Sequence, residues 1–469
     1  MRSIERLSQT TSPTTPNLPP RSEGNSFIER IPNASRRPLS RSTSRRKEWW
    51  LVAIIITAGL SASSCGSGDT STTPSTKPAA SSETRVVPLA KNAAGCVETF
   101  DAGVDYFPVK SIVESSTLWD VEYRLNYKVI RASIDSLTGG DGAADPRTDT
   151  YVLVQCGTPP PPLDGDLAGA EVIEVPVQNA IPTYYEDVTA LYELGLDDKI
   201  LAIPDVGFLE EKGKSLPTSV MDLVAAGEIS EFGETVSKEV FVAADPGVVF
   251  AYSVYGYEDH DLLETAGVPV VGVLNAAEAT PLGDAEWVKF FALFFNAEAD
   301  ANDLFEQVST SYLALKAQTA SVPDRPEVVF ISPYSADYFE AHTNSWGARL
   351  IEDAGGTNLL ADDGPTSPQA ISAEVVIDSG SKATLWLTEF SAFDLTATKT
   401  ALPSIPFDEF PAVANSNIWN IGQTAPDDDV FYGTWSTRPD LLLADLVSLL
   451  HPDLVPDHKF SILEPPLGS

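Results

Sequence analysis

Histidine, cysteine and methionine are scarce in this chain, with 4, 3 and 2 copies among 469 residues. So few histidines leave little with which to build a site for a free transition metal, which draws several imidazole, thiolate or carboxylate groups to one point. Cysteines at positions 65, 96 and 156 show no Cys-x-x-Cys spacing, so no zinc module is expected. Positive charge is also short. Against 67 Asp and Glu stand 30 Lys and Arg, a formal charge of −37, and phosphate backbones would be repelled, so no nucleic-acid partner is expected. Also missing are a Gly-x-Ser-x-Gly elbow, a His-Glu-x-x-His helix, a P-loop and a Gly-x-Gly-x-x-Gly turn. No carboxylate pair is singled out as a catalytic couple, so the chain is taken as a non-enzyme. An apolar run of membrane-spanning length is absent too: "WWLVAIIITAGL", residues 49–60, covers only about 18 Å at helical rise against a hydrocarbon core of roughly 30 Å.

What is present is a leader-like beginning. The short apolar run follows the basic "SRSTSRRK" and precedes "SASSCGSGDTST", the order of a signal peptide. The small residues ending in Cys65 resemble the lipobox of bacterial lipoproteins, whose cysteine is acylated and becomes the mature N-terminus. Ordinary secretion and an uncleaved anchor are the alternatives. Residues 1–65 are therefore assigned to a signal segment and 66–96, rich in Gly, Ser, Thr and Pro, to a flexible tether to the membrane. Beyond the membrane the compartment is oxidising, where Cys96 and Cys156 are expected to pair.

The body alternates strands and helices. Residues 97–160 carry the strand-like "WDVEYRLNYKVIRASI" and "TYVLVQCG", a small β prelude. From 161 to 296 the pattern becomes "AEVIEVPV" (strand), "YYEDVTALYELGL" (helix), "KILAIPDV" (strand), then further helix and strand pairs ending in "VPVVGVL". Continuous apolar strands between helices imply a parallel sheet covered on both faces. The stretch "GDAEWVKFFALFFNAEADANDLFEQVSTSYLALKAQTA" reads as helical with Trp287, Phe290, Phe291, Phe294 and Phe295 on a broad apolar face, Asn296 ending a first helix and leaving about 22 residues, roughly 33 Å, for a second. Residues 297–320 are assigned to that interlobe helix and 321–469 to a second α/β lobe, restarting at "RPEVVFISPYS". The fold class is thus α/β, two lobes with mainly parallel sheets joined by one long helix, plus the N-terminal β element.

Several segments carry a resemblance. "LGLDDKILAI", "EVFVAADPGVVF", "ETAGVPVV" and "LIEDAGGTNLL" resemble, in order and spacing, elements of the solute-binding proteins of ABC importers that carry ferric siderophores and cobalamin. The likeness runs over roughly residues 97 to 465. It implies a monomeric receptor without cofactor, partnered by an ABC permease and its ATPase, whose ligand is a metal chelate. It also implies one permease-docking glutamate per lobe, Glu239 and Glu352, each carboxylate meeting an arginine pocket. An ordinary exposed helix glutamate is the plainer account of each.

Ligands of open α/β lobes lie beyond the carboxyl ends of the strands. That rule selects Tyr184, Tyr185, Tyr252 and Tyr255 in the first lobe, and Tyr334, Tyr338 and Trp435 in the second. Large amphipathic rings suit a bulky chelate better than a bare ion. Arg438, directly before Pro439 at the start of the last helix, opposes the helix dipole; at the cleft mouth it would suit an anionic ligand. The long helix is expected to resist wide hinge motion and leave the site preformed. Alternatives are a Zn or Mn receptor using His260 and His342, a sensor-linked binding module, and a secreted hydrolase.

Overall fold

The structure is a computed structural model. It describes residues 95–134 and 147–465, apart from 212, 234–236, 254–257, 336–337, 367, 390–393, 423 and 426–428. All of these belong to one compact unit, residues 80–469. The leader, Cys65, most of the tether and Tyr255 lie outside the described residues. Among the described residues no helix is long and apolar enough to cross a membrane.

The prelude is a four-stranded sheet. Strands β1 (Trp119–Tyr123), β2 (Tyr127–Ile134) and β3 (Arg147–Gln155) pair antiparallel, and β4 (Glu171–Val175) adds parallel to β3. The sequence places this last stretch in the first lobe, and the structure corrects that. In β4 Ile173 and Val175 are buried while Val172 and Glu174 are exposed, the alternation of an edge strand with one wet face rather than of a strand covered on both sides. A Cys96–Cys156 disulfide, with Cα atoms 4.7 Å apart, ties the start of the described chain to the end of β3.

The first lobe proper is short-stranded. Strands β5 (Ile181–Pro182), β6 (Ala202–Pro204), β7 (Ser230–Phe232), β8 (Val249–Tyr252) and β9 (Val270–Val273) pair only in parallel, as β5-β8-β9 and β6-β7, with an Ala180–Ile200 bridge between the two groups. Between them run α1 (Tyr185–Glu193), α2 (Gly207–Glu211), α3 (Thr218–Ala226), α4 (Lys238–Ala244) and α5 (Glu258–Thr265). Three helices then follow in one sweep: α6 (Pro281–Ala285), α7 (Trp287–Phe295) and α8 (Glu298–Thr319).

The second lobe is more mixed than the sequence suggests. Its sheet runs β13-β11-β10-β14-β15-β16, built from β10 (Glu327–Ser335), β11 (Tyr338–Ala341), β13 (Gln369–Ile371), β14 (Leu385–Thr388), β15 (Ile418–Ile421) and β16 (Leu463–Glu464), with β12 (Thr357–Asn358) beside β10. The centre is parallel, whereas β11, β13 and β16 pair antiparallel. Its helices are α9 (Trp346–Asp353), α10 (Ala373–Gly380), α11 (Leu395–Ala401), α12 (Pro411–Ala414), α13 (Thr434–Thr437) and α14 (Pro439–Leu450).

Helix α7 explains how these parts hold together. All nine of its residues are buried, including Lys289. A helix apolar on every side needs walls on every side; the prelude supplies one, with Trp119 edge-on to Trp287 and Phe290 at 6.2 and 5.4 Å, and the lobe supplies another through Phe250. Polar groups that must enter this core are paired. The Glu286 carboxylate accepts the backbone N–H groups of Glu114, Ser115 and Ser116 and a bond from Lys289 Nζ. Lys128 of β2, 0% exposed, donates to Glu298 at 2.6 Å in the first turn of α8. From there α8 places Ala301, Phe305 and Val308 in the first core and Tyr312 in the core of the second lobe.

Replacing Lys128 by Met leaves the Glu298 carboxylate buried without its counter-charge. Urea unfolding should show a loss of about 3–5 kcal/mol, and the double variant Lys128→Met, Glu298→Met should recover most of it.

Candidate functional site

The two lobes face each other across a cavity of about 110 Å³. Tyr184, Glu186, Tyr252, Asn275 and Asp284 reach it from the first lobe; Glu340, Trp346, Glu389, Tyr432 and Trp435 reach it from the second. The aromatic part forms a connected set. Tyr184 stacks on Tyr252 with ring centroids 4.1 Å apart and planes 11° from parallel, and Tyr432 meets Trp435 edge-on at 4.7 Å.

The acidic part combines carboxyl groups of both lobes, with His342 beside Glu389 behind it. Among the described residues no lysine, arginine or histidine lines the cavity. Asp284 Oδ1 accepts from Asn275 Nδ2 at 3.0 Å and from Ser436 Oγ at 2.8 Å. Glu340 Oε2 accepts from the Tyr338 hydroxyl. Behind the cavity His342, stacked on Phe330 at 3.9 Å, lies 3.2 Å from Glu389 Oε1. Gly347 in α9 permits that ring position, because a Cβ there would lie 2.4 Å from His342 Nδ1. Glu186 begins α1, where the helix dipole favours it, yet its Oε2 is buried with no hydrogen-bond partner, as are Oδ2 of Asp187 and Oδ1 of Asn275.

Burial pushes Asp284 up to about 7, with Glu278 and Glu389 adding to the rise, and pushes Glu186 and Asp187 well above the usual carboxylate range. Glu340 is raised by burial and by Glu389. Glu193, at the far end of α1, is raised to about 7 by burial despite a bond from Thr437 Oγ1 at 2.9 Å.

The lobes touch closely beside this cavity. Thr189 of α1 donates to the Tyr432 carbonyl at 2.6 Å, Tyr432 N–H donates to the Ser215 carbonyl at 3.0 Å, and Lys214 pairs with Glu464. At Gly433, φ 92°, a Cβ would sit 2.8 Å from Glu186 Cα, so only glycine brings the α13 segment this near. These interlobe hydrogen bonds narrow the cleft beside the cavity.

Of the residues selected from the sequence, Tyr184, Tyr252 and Trp435 line the cavity. Tyr185 does not: its hydroxyl donates to the Asp205 carbonyl, and its ring supports Tyr432 edge-on at 5.9 Å. Tyr338, 37% exposed, is on the antiparallel β11 rather than in a loop and reaches the site only through Glu340. Tyr334 lies on β10 and Tyr255 falls outside the described residues.

Arg438 requires a correction. Residues 434–437 form their own helical turn, which makes Arg438 the junction before α14 rather than part of its first turn, and Thr437 does not cap that helix. The guanidinium folds onto its own neighbour, with Nε and Nη2 at 2.9 and 3.0 Å from the two oxygens of Asp440, away from the cavity wall. The expectation of a positive focus for an anionic ligand therefore fails. Glu186, Asp284, Glu340, Glu389 and Asn275 were missed, although Glu186, Glu340 and Glu389 directly follow or closely flank the aromatic strand-end motifs.

Nor do the histidines converge. His260 groups with Asp261 and Glu264 on α5, but its Nδ1 lies 3.2 Å from the Arg147 guanidinium, which pairs with Asp149 and Asp261 where a metal would sit. No other set of three His, Cys, Asp or Glu ligand atoms among the described residues comes within 4.8 Å. Glu239 is exposed on α4. Glu352, with a side chain 40% exposed on α9, pairs with Arg349 at 2.7 Å.

The family profile for periplasmic binding proteins matches residues 181–424, more than half of the chain. An uncharacterised lipoprotein of Methanocaldococcus jannaschii is 25% identical over 300 residues, covering 62% of this chain and 69% of its own. A second uncharacterised lipoprotein of the same organism is 24% identical over 324 residues, covering 66% and 78%. Among solved structures, a periplasmic binding protein from Veillonella parvula aligns with 69% of this chain and 98% of its own at 12% identity and a TM-score of 0.47.

The raised carboxylates set a pH dependence. Because Asp284 and Glu193 have folded values of about 7 against unfolded values of 3.8 and 4.5, the folded protein holds more protons between those limits. The destabilising burial of charge is fully present above about pH 7 and fades as pH falls toward 5. Thermal melting should rise by a few degrees from pH 8 to pH 5.5. General relief of the negative surface acts in the same direction, so the diagnostic result is a smaller rise in Asp284→Asn; an unchanged slope would count against Asp284 as a source.

Proposed function

Because the chain belongs to the periplasmic binding protein family, we propose that it captures a metal chelate between its lobes, outside the cytoplasm, and delivers it to an ABC permease and ATPase. The observation that carries this reading is the cavity whose walls come from both lobes at once and combine aromatic rings with carboxyl groups. A chelate suits it better than a bare ion, since among the described residues no three His, Cys, Asp or Glu ligand atoms of its walls come within 4.8 Å of one another. The reaction class is binding without chemistry. Cys65 anchors the protein through lipid, and the protein acts as a monomer.

Entry requires motion. A cavity of about 110 Å³ is smaller than the roughly 150 Å³ that holds benzene, so the lobes part along the α1–α13 contact before a chelate enters. Helix α8, continuous through 22 residues, confines that motion to a small opening rather than a wide hinge. Glu239 and Glu352 then offer one exposed carboxylate per lobe to permease arginines, and Glu352 exchanges Arg349 for its new partner.

Two measurements test the proposal. Titrating purified protein with ferrichrome, haem, cobalamin and other chelates should give saturable quenching of tryptophan emission that is largely lost in Trp435→Phe; absence of binding by every chelate would sink the receptor role. In vesicles carrying the permease and ATPase, Glu239→Arg with Glu352→Arg should cut uptake at least tenfold while ligand affinity stays within about twofold.

A further inference from the structure

Resting on the reading of the interlobe cavity as the solute site, we propose that it selects a solute of net positive charge, whose cationic groups are held by the carboxylate ring while an apolar face lies against the tyrosines and Trp435. Four features carry this inference.

The ring has acids from both lobes, Glu186 and Asp284 from one and Glu340 and Glu389 from the other, with no basic side chain among the described lining residues. An anionic chelate would bring its own charges against these groups with nothing to pair them, and burying unpaired charge is strongly unfavourable. Of the described lining residues, those with a buried polar atom lacking a hydrogen-bond partner are Glu186, at Oε2, and Asn275, at Oδ1, both oxygens of acceptor groups, and Asp187 Oδ2 beside Glu186 is in the same state. Asn275 is informative because it is only 6% exposed, lines the cavity, and has both its amide donations directed at Asp284 and Ser436. Its free oxygen awaits a donor from the solute.

The aromatic wall adds a second attraction. Ring faces carry a negative quadrupole and stabilise nearby cations, tryptophan most of all. The spread of the acids sets the size of the cation. Because no three of their oxygens gather within 4.8 Å, the positive charge must be distributed over an object larger than a bare ion. Arg438, the cation that could have reversed the sign, is committed to Asp440.

Two sources share this chemistry: a coordination complex of net positive charge, and an organic polyamine. Purified full-length protein at an ionic strength of about 0.15 M, which screens exposed acids, should be titrated with hexaamminecobalt(III), spermidine, ferric tricitrate and neutral ferrichrome. The readouts are Trp435-dependent fluorescence and one-to-one stoichiometry by calorimetry. At least one of the two cations should bind at the cavity, and the anion should not. Binding of hexaamminecobalt(III) alone assigns a metal complex; binding of spermidine alone assigns an amine.

Glu186→Gln and Glu389→Gln should each weaken cation binding at least tenfold. An exposed control, Glu228→Gln, should not. Glu186→Gln puts a neutral group of the same shape where burial already opposes ionisation and should melt no lower than the parent, so its lost affinity is read on folded protein. Cation binding near pH 7 should also release protons, seen as an enthalpy that varies with buffer. The protons come from Asp284, Glu186 and Asp187, whose carboxyls burial raises, and the charges of Glu278 and Glu389 face Asp284.

Binding of ferric tricitrate or ferrichrome at Trp435 while neither cation binds would overturn the charge assignment and leave the receptor role intact. Unchanged cation affinity in both Gln variants would overturn it too. If no probe of any charge reaches the cavity, the charge assignment and its use as a solute site fall together.

Discussion

The architecture depends on enclosing α7. Nine consecutive residues without a solvent-facing position cannot be satisfied by one lobe's sheet, and the prelude exists in this fold as the missing wall. Once Trp119 and Ile130 close that side, the polar atoms trapped at the seam need internal partners, which Glu286, Lys289, Lys128 and Glu298 provide. Asn296, at φ 55°, ends α7, and α8 begins two residues later with its first turn already bound to the prelude through Glu298. The second lobe thus hangs from a helix whose near end is locked. Its position is a consequence of how α7 is buried.

That placement brings α13 onto α1. A backbone approach permitted only by Gly433, together with the Thr189–Tyr432 and Thr437–Glu193 bonds, closes the cleft and removes water from its carboxylates. Desolvation then opposes their ionisation, and the acids from the two lobes raise one another further. The same contact that completes the aromatic wall with Trp435 creates the charge problem. Wall and charge are two aspects of one interface.

What could be seen in the sequence follows from how local each determinant is. The parallel core strands, the Asn296 stop and the 22-residue span of α8 were legible because apolar continuity and helix length are written in contiguous residues. Strand-end aromatics were legible as a class, so Tyr184, Tyr252 and Trp435 were found. Tyr185 was not separable from Tyr184, since adjacent residues at the start of a helix point to different sides and only the fold tells which faces the cleft. Strand β4 was assigned to the wrong sheet because pairing partners are non-local. Arg438 was misread because the extra turn at 434–437 makes it the junction before α14, where Asp440, two residues on, holds its guanidinium. The acidic ring was hidden by abundance: among 67 acidic residues, nothing in composition separates those that converge across lobes from those that solubilise the surface.

Charge and motion are therefore coupled in this fold. Closing the cleft without a solute leaves acceptors unpaired and drives Glu186, Asp187 and Asp284 toward their protonated forms, a cost that an open cleft does not carry. A solute that neutralises them removes the opposition, and the α1–α13 hydrogen bonds then favour closure. Under the proposed docking role, Glu239 on α4 and Glu352 on α9 ride on separate lobes, so their separation would report on the cleft. Because α8 limits the amplitude, discrimination between loaded and empty forms rests on the energy of the charged interface more than on the distance travelled. A neutral cleft of the same shape would close as readily empty as full, and the receptor would lose the means to signal that it carries anything.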